Sequence, residues 1–292
     1  MLDRIAGRTT PIHVRWQPCL IVRGGPPRLT PARPGCHDDA VRSDDRPRGE
    51  PVLARAARIL QAFTPDEPEL SVSEIGRRAR LHVATASRLI AALTAEGLLA
   101  RTTNGRVSIG VRLWELAQRA SPTLGLREAA MPFLEDLHAV IGHHVQLGVL
   151  DGGEVLFVER LSARDAVINV TRIAGRLPLH ASSAGLVLLA WAPRDLQEQV
   201  LAGALPGYTP TTITAPARLR GVLDGIRRQG YVVSDGQIHP DATGVAVPVR
   251  DGAEPGRPVV AGLSAIVPND GRAVSLVPAL QAAARGIARR LR

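Results

Sequence analysis

The apolar positions between residues 52 and 99 recur at helical spacing in three successive segments. The first stripe consists of Leu53, Ala56, Ala57, Leu60 and Phe63, and the second of Val72, Ile75 and Ala79. The third consists of Ala86, Leu89, Ile90 and Leu93, and Gly97 predicts its end. Ser71 and Glu74 have the spacing of a capping box, which marks the start of the second helix. Only residues 80–82 separate the last two helices, which predicts a helix-turn-helix.

Two short alternating segments follow, in the stretch LLARTTNGRVSIG. The pair Asn104-Gly105 between them predicts a tight hairpin with positive φ at both residues. Three helices and a two-stranded wing predict a winged helix over residues 52–114.

Most side chains on the face of the third helix opposite its apolar stripe are unusually small. Ala84, Arg88, Ala91 and Ala95 lie there, flanked by Thr85 and Ser87. A small outer face fits a DNA major groove, which is about 12 Å wide. Arg88 can then bind guanine, Thr85 and Ser87 can reach base edges or phosphates, and Ala84 can meet a thymine methyl group.

Four further arginines are expected to contact phosphates, which gives register without sequence information. They are Arg77, Arg78, Arg101 and Arg106. An alanine-rich outer face is also typical of a helix that packs against a partner helix. The order of helix, capping box, turn, helix and hairpin favours DNA.

Residues 121–292 predict a mixed helical and antiparallel region. A long helix carrying Leu126, Leu134 and Ile141 follows the breaker Pro122, and a hairpin turns at residues 151–153. Strands are predicted over 166–172 and after Gly230, buried or amphipathic helices over 183–192 and 215–230, a second hairpin over 244–267 and a C-terminal helix. An antiparallel sheet flanked by helices is the expected α+β architecture.

Charge and composition indicate which partners and which cellular compartment to expect. The net charge is +9, every basic residue is arginine, and residues 51–120 carry ten arginines against six acids. No apolar run approaches the roughly 18 residues of a membrane span, so no membrane partner is expected. Cys19 and Cys36 form neither a disulfide framework nor a metal-ligand pattern, which favours the reducing cytoplasm.

The Pro- and Arg-rich residues 1–51 are expected to be disordered. Two interpretations of this segment stay open: an extended or misassigned start, or a basic tail that adds nonspecific attraction to DNA.

Candidate chemistry in the second half is sparse. His180, Ser182 and Ser183 do not have the arrangement of a catalytic triad, and the two serines are better explained as caps of the following helix. The free N–H groups of such a helix start can bind an anion. His138, His143 and His144 could suggest a metal site, but a solvated patch is the favoured interpretation. No catalytic residue, metal or cofactor is predicted.

The chain resembles the IclR family of bacterial transcriptional regulators in three places. These are the helix-turn-helix region of residues 52–114, RLPLHASSAGLVLLAWAP, and GYVVSDGQIHPDATGVAVPVRD followed by VVAGLSAIVP. The resemblance implies a linker helix and a GAF-like effector domain over 115–292. It also implies a homodimer, or a dimer of dimers, that binds a palindromic DNA operator and responds to a small organic acid or aromatic metabolite.

Carried over residue by residue, the resemblance implies effector contacts from two parts of the sequence. They are Ser183 and Ala184, then Ser234, Asp235 and the loop to Gln237, with Gly244 and Ser264. The family often has a more acidic run at 235–237 and a cysteine at 244. A less polar pocket, roomier beside Gly244, is therefore expected, with Asp235 as its polar anchor.

The interpretation that follows is a cytoplasmic, effector-controlled repressor. The first alternative is an enzyme domain fused to a DNA-recognition domain, which would turn over the compound that it binds. The second is a winged helix that binds protein instead of DNA, which would show no salt-dependent duplex binding.

Overall fold

The computed structural model describes residues 50–291 apart from 65, 121, 164–165, 168–172 and 255. The expectation for residues 1–51 therefore lies almost entirely outside the described residues. The N-terminal part contains α1 (Val52–Gln61), β1 (Glu69–Leu70), α2 (Val72–Arg78), α3 (Val83–Ala95), β2 (Leu99–Arg101), β3 (Val107–Ile109) and α4 (Val111–Ala120). Helices α1 to α3 and the sheet β1-β3-β2 form the predicted winged helix.

The core of the winged helix joins all three helices to the sheet. Ile75, Ile90 and Val107 are fully buried in it. The predicted stripe of α1 is wrong in part, because Leu53 is 83% exposed and Ile59 is the buried residue. The residues of this segment that belong to the core are Ile59, Leu60, Ala62 and Phe63, at the C-terminal end of α1 and just after it.

The capping box of α2 is confirmed. The Ser71 hydroxyl accepts from the Glu74 N–H, and the Glu74 carboxylate accepts from the Ser71 N–H. Strand β1, which the sequence pattern did not indicate, precedes this cap and pairs with β3.

The wing turn differs from the prediction in its geometry. Gly105 has φ +78°, whereas Asn104 is not among the described residues with positive φ. The Gly105 N–H donates to the Thr102 carbonyl, and the Thr102 N–H to the Arg106 carbonyl. The Asn104 side chain instead accepts from the Arg106 N–H, which keeps Asn104 out of the left-handed region.

The C-terminal part is built on one six-stranded antiparallel sheet of order β6-β5-β4-β9-β8-β7. Its elements are α5 (Pro122–Ile141), β4 (His144–Asp151), β5 (Glu154–Leu161), β6 (Arg176–Pro178), α6 (Ser183–Ala190), α7 (Arg194–Ala202), α8 (Pro216–Gln229), β7 (Val232–Asp235), β8 (Ala242–Arg250), β9 (Val259–Pro268) and α9 (Val277–Arg290). The α+β class and both predicted hairpins are confirmed.

Helices cover the two faces of this sheet. One core packs α5 and α9 against residues such as Leu147 and Leu263, and the other packs α6 and α8 against Phe157 and Ala246. Helix α6 has every residue buried, as its uniformly apolar sequence predicts. None of the described helices is both long and apolar enough to cross a membrane.

Three elements show the limits of the pattern. The strand predicted over 166–172 falls largely outside the described residues, and residues 166 and 167 are not in a strand. The edge strand β6 and the short helix α7 were not predicted. β6 is only three residues long, so it offers too few positions for an alternation to be recognised.

Candidate functional site

The outer face of α3 is exposed, as the sequence predicts. Ala84, Ser87, Arg88 and Ala91 are exposed, Thr85 is half-buried, and Ala86 and Ile90 on the opposite side are buried. The helix begins after His82, whose Nδ1 accepts a 3.4 Å hydrogen bond from the Ala84 N–H. A histidine is an uncommon cap, so this role could not be predicted from the residue type.

The four arginines expected at phosphates fall into two pairs. Arg77 and Arg101 are exposed. Arg78 donates to the Ala62 carbonyl and to the Glu67 carboxylate. Arg106 donates to the Glu69 carbonyl at 2.9 Å and to Glu74 Oε2 at 3.1 Å. The structure therefore gives Arg78 and Arg106 partners inside the winged helix.

Glu74 joins the cap of α2 to the wing. Hydrogen bonds from the Ser71 backbone and hydroxyl, with smaller effects of Arg106 and Arg78, lower the pKa of Glu74 against the opposing effect of burial. The carboxylate is therefore ionised at neutral pH. Through its contact with Arg106, it holds the start of α2 and the base of the wing together.

A second site lies where the start of α6 meets the sheet. A partly open cavity of about 40 Å³ lies there. Its polar lining residues are Gln146, Ser182, Ser183, Ser234, Gln237 and His239, and its apolar ones include Phe157, Leu177, Ala184 and Ile266. Among the described residues, no arginine lines this cavity.

The position of α6 depends on two glycines of the sheet. A Cβ on Gly262 would lie 3.0 Å from the Ala184 carbonyl oxygen, and one on Gly244 would lie 2.6 Å from Ser183 Oγ. The expectation of a roomier pocket beside Gly244 is wrong, because Ser183 fills the space that a side chain would take. Ser182 caps the helix by accepting from the Gly185 N–H at 3.2 Å, as predicted.

Three buried polar atoms on this side of the sheet have no hydrogen-bond partner among the described residues. They are Ser234 Oγ, Gln237 Oε1 and Ser264 Oγ. Ser234 and Gln237 line the cavity, and Ser264 lies in β9 opposite Gln146. Since buried polar atoms are normally satisfied by protein groups or water, the unpartnered atoms of Ser234 and Gln237 are candidate contacts for a bound ligand.

Asp235 does not join this set. Alternate residues of a strand point to opposite faces, so Ser234 faces the cavity and Asp235 is exposed on the other side. Its carboxylate accepts from the Thr243 hydroxyl at 2.9 Å. The structure therefore brings Ser183, Ala184, Ser234 and Gly244 together and leaves Asp235 outside the cavity lining.

Three threonines hold the loop that follows β7. Thr211 donates to the Asp235 carbonyl, Thr209 to the Gly236 carbonyl and Thr212 to the Gln237 carbonyl, at 3.2, 2.6 and 2.6 Å. We call this arrangement the threonine latch. It fixes the backbone that carries Gln237 into the cavity wall, and no pattern in the sequence indicated it.

Two of the histidines are hydrogen-bonded to backbone carbonyl groups. The ring of His180 is bonded through Nε2 to the Pro206 carbonyl, not to a serine. His144 is buried and bonded to the Val167 carbonyl, so the expectation of a solvated patch is wrong for this residue. Within the described residues, no group of three or more His, Cys, Asp or Glu side chains is arranged to hold a metal ion.

Comparison with known proteins identifies both parts of the chain. Residues 52–103 match the IclR helix-turn-helix domain, and residues 118–289 match the bacterial transcriptional regulator IclR C-terminal domain. Relatives include the HTH-type transcriptional regulator XynR of Escherichia coli, 32% identical over 203 residues, which are 68% of this chain and 79% of that protein. KdgR of the same organism is 29% identical over 84% of this chain and 94% of its own length.

A solved structure is similar over most of the chain. An IclR homolog from Microbacterium hydrocarbonoxydans, complexed with 4-hydroxybenzoate, is 45% identical with a TM-score of 0.78, and the match covers 82% of this chain and 99% of that one. These relatives are named as regulators of transcription rather than as enzymes. The chain belongs to the IclR family of DNA-binding bacterial transcriptional regulators.

Proposed function

We propose that the protein is a dimeric repressor that binds a palindromic operator through α3 and changes its operator affinity when a small hydroxylated acid enters the cavity beside α6. The proposed domains of the chain are a tail (1–51), a winged helix (52–114) and a linker helix with the effector domain (115–292). It acts in the cytoplasm, where the chromosome lies. The observation that carries the effector site is the pair of unpartnered atoms, Ser234 Oγ and Gln237 Oε1, in residues that line this cavity.

The DNA-reading part of the proposal rests on the outer face of α3. Arg88 presents a forked donor to guanine, and it lies near the exposed Ala84 and Ser87 and the half-buried Thr85. Arg77 and Arg101 are exposed and bind phosphates. Arg78 and Arg106 support the winged helix from within, through Glu67 and Glu74.

The chemistry of the cavity favours a small acid that also carries a hydroxyl group. With no arginine among the described lining residues, a carboxylate is held by the N–H groups at the start of α6 and by serine hydroxyls. A ligand hydroxyl donates to Gln237 Oε1. 4-Hydroxybenzoate has both groups, and it is the compound bound to the similar Microbacterium protein.

Ligand entry has to widen this cavity. A volume of about 40 Å³ holds roughly three waters, whereas a cavity that binds benzene measures about 150 Å³. The wall that can move is the segment of Gln237, Ile238 and His239 between β7 and β8, which the threonine latch holds. Effector binding therefore moves a defined segment, as a change of operator affinity requires.

Self-association is proposed through the apolar side of α4. Val111 and Trp114, one turn apart on the same face of this helix, are 72% and 64% exposed. Large apolar residues clustered at this exposure are typical of a protein interface. A second copy of the chain is the proposed occupant because a two-fold dimer presents two recognition helices to a palindrome.

The test of the effector site uses 4-hydroxybenzoate, with benzoate for comparison, and follows thermal shift and operator binding. Ser234→Ala removes an unpartnered hydroxyl, so the melting temperature without ligand is expected to stay or rise. The shift caused by 4-hydroxybenzoate is expected to fall at least several-fold. An unchanged shift in Ser234→Ala, with unchanged release of DNA, would exclude this cavity. Ser275→Ala, a surface serine, is the matched control.

A further inference from the structure

Helix α2 ends in a Schellman motif whose left-handed residue is an arginine. The Leu81 N–H donates to the Gly76 carbonyl at 2.8 Å, and the Arg80 N–H donates to the Arg77 carbonyl at 3.2 Å. These are the two bonds that define the motif. Arg80 has φ +53° and occupies the position where glycine is usual.

Helix α3 ends in the same motif with the usual residue. The Leu98 N–H donates to the Leu93 carbonyl at 2.9 Å, and the Gly97 N–H donates to the Thr94 carbonyl at 3.0 Å. Gly97 has φ +71°. The two helix ends share their backbone geometry, so the arginine at the end of α2 is not required by the turn.

An arginine at this position costs stability. A side chain in the left-handed region brings its Cβ close to the following carbonyl oxygen, and glycine avoids this contact. Nothing in the described fold compensates for the cost, because the exposed Arg80 guanidinium makes no hydrogen bond or ion pair within the described residues. Its neighbours Arg78 and Arg58 both have carboxylate partners, Glu67 and Glu50.

The place of Arg80 points to its partner. It lies in the turn directly before His82, the cap of the recognition helix α3, and three residues after the exposed Arg77. In a helix-turn-helix, the first helix crosses the DNA backbone and the start of the second enters the groove, so phosphates flank the turn between them. The end of α2 has the negative pole of the helix dipole, so an arginine side chain is needed for a phosphate to bind there.

We propose that Arg80 binds a phosphate of the DNA backbone, and that the strained residue is retained in the turn for this contact. Arg80 therefore sets the position of α3 on the duplex without reading sequence. It adds a phosphate contact to those of Arg77 and Arg101. Arg78 and Arg106 do not make such contacts, because their guanidinium groups bind other residues of the winged helix.

The test is the substitution Arg80→Gly, for which two readouts are expected to move in opposite directions. The melting temperature of the full chain is expected to rise by roughly 2 to 4 °C, because glycine relieves the left-handed residue. The Kd for a duplex selected by the protein from a random pool, and for a scrambled duplex, is expected to rise about 3- to 10-fold in both cases. The salt slope is expected to fall by roughly one per protomer.

Two variants complete the design. Arg80→Lys keeps the charge and the strain, so its affinity and melting temperature are expected to remain close to those of the parent. Arg285→Ala removes one exposed arginine of α9 and controls for net charge, with no change of salt slope expected. An Arg80→Gly protein that keeps the parent Kd and salt slope overturns the phosphate contact. An Arg80→Gly protein whose melting temperature does not rise overturns the claim that Arg80 is retained at a cost in stability.

Discussion

The hydroxyl of Thr212 donates a 2.6 Å hydrogen bond to the carbonyl oxygen of Gln237. The Thr212 hydroxyl oxygen also accepts hydrogen bonds from the backbone N–H groups of Tyr208 and Thr209, both at 3.0 Å. This buried threonine thus ties the segment before α8 to the wall of the effector cavity.

Thr212→Val is expected to loosen the cavity wall. Valine has nearly the same shape but leaves three backbone groups without this partner, which costs about 1 to 3 kcal/mol and lowers the melting temperature. The Kd for 4-hydroxybenzoate is expected to rise several-fold, measured by calorimetry, while operator affinity without ligand stays the same. Thr211→Val is the control, since Thr211 is exposed and its 3.2 Å bond to the Asp235 carbonyl is longer. Equal effects of the two substitutions would contradict the special role of Thr212.

Gly244→Ala is expected to force α6 away from the sheet. The new Cβ would lie 2.6 Å from Ser183 Oγ and 2.9 Å from Ser183 Cβ, so the predicted cost is about 1 to 3 kcal/mol. The thermal shift caused by 4-hydroxybenzoate is expected to disappear.

A second substitution separates this collision from a general effect of alanine. Ser183→Gly is expected to rescue part of the stability lost in Gly244→Ala, which a double-mutant cycle measures. Gly221→Ala in α8, where a Cβ meets nothing within 4 Å, is expected to stabilise the protein. Additive effects of the Ser183 and Gly244 substitutions would show that the two residues do not collide.

The sequence predicts those features that local periodicity and capping determine. The capping box of Ser71 and Glu74, the helix end at Gly97 and the buried helix α6 all follow from spacing along one segment. What it misses depends on contacts between distant segments. The family resemblance implied that Asp235 lies in the cavity, but the alternation of side chains along β7 puts Ser234 on the cavity side and Asp235 on the exposed side.

The arginines show the same limit. Arg101 and Arg106 look equivalent beside the wing turn, and only the pairing of β1 with β3 places the Glu69 carbonyl and Glu74 next to Arg106. The threonine latch joins residues 24 to 27 positions apart in a loop without periodicity. Patterns of hydrophobic residues carry no information about such contacts.

Arg101→Ala and Arg106→Ala are therefore expected to differ. Arg106→Ala removes the bonds to the Glu69 carbonyl and Glu74, so it should lower the melting temperature by a few degrees. Arg101→Ala should leave the melting temperature unchanged, weaken operator and scrambled duplex alike, and lower the salt slope by about one per protomer. Thermal melts and salt titrations of both variants measure this. An Arg106→Ala protein of parent stability would show that its internal bonds contribute nothing.

Stability is expected to fall as the pH drops below about 6.5, in part through His144. Burial lowers the pKa of His144 below its ordinary value of 6.5, the charges of Arg160, His143 and His138 act in the same direction, and the Val167 carbonyl opposes them. The unfolded chain then binds a proton that the folded chain excludes, so this stability is complete above pH 6.5 and is lost below it. His144→Gln should flatten the dependence of the melting temperature between pH 7.5 and 5.5. If His143→Gln flattens this pH dependence and His144→Gln does not, His144 is not the group responsible.

The central claim, that α3 reads DNA sequence through Arg88, is tested most directly by titrating the parent and Arg88→Ala against two duplexes at two salt concentrations. One duplex is selected by the protein from a random pool, and the other is its scrambled counterpart. Arg88→Ala is predicted to cost about 1 to 3 kcal/mol on the selected duplex, with relaxed preference at one base pair per half-site and far less change on the scrambled one. Equal weakening of both duplexes, or of neither, would contradict the assignment of α3 as the recognition helix.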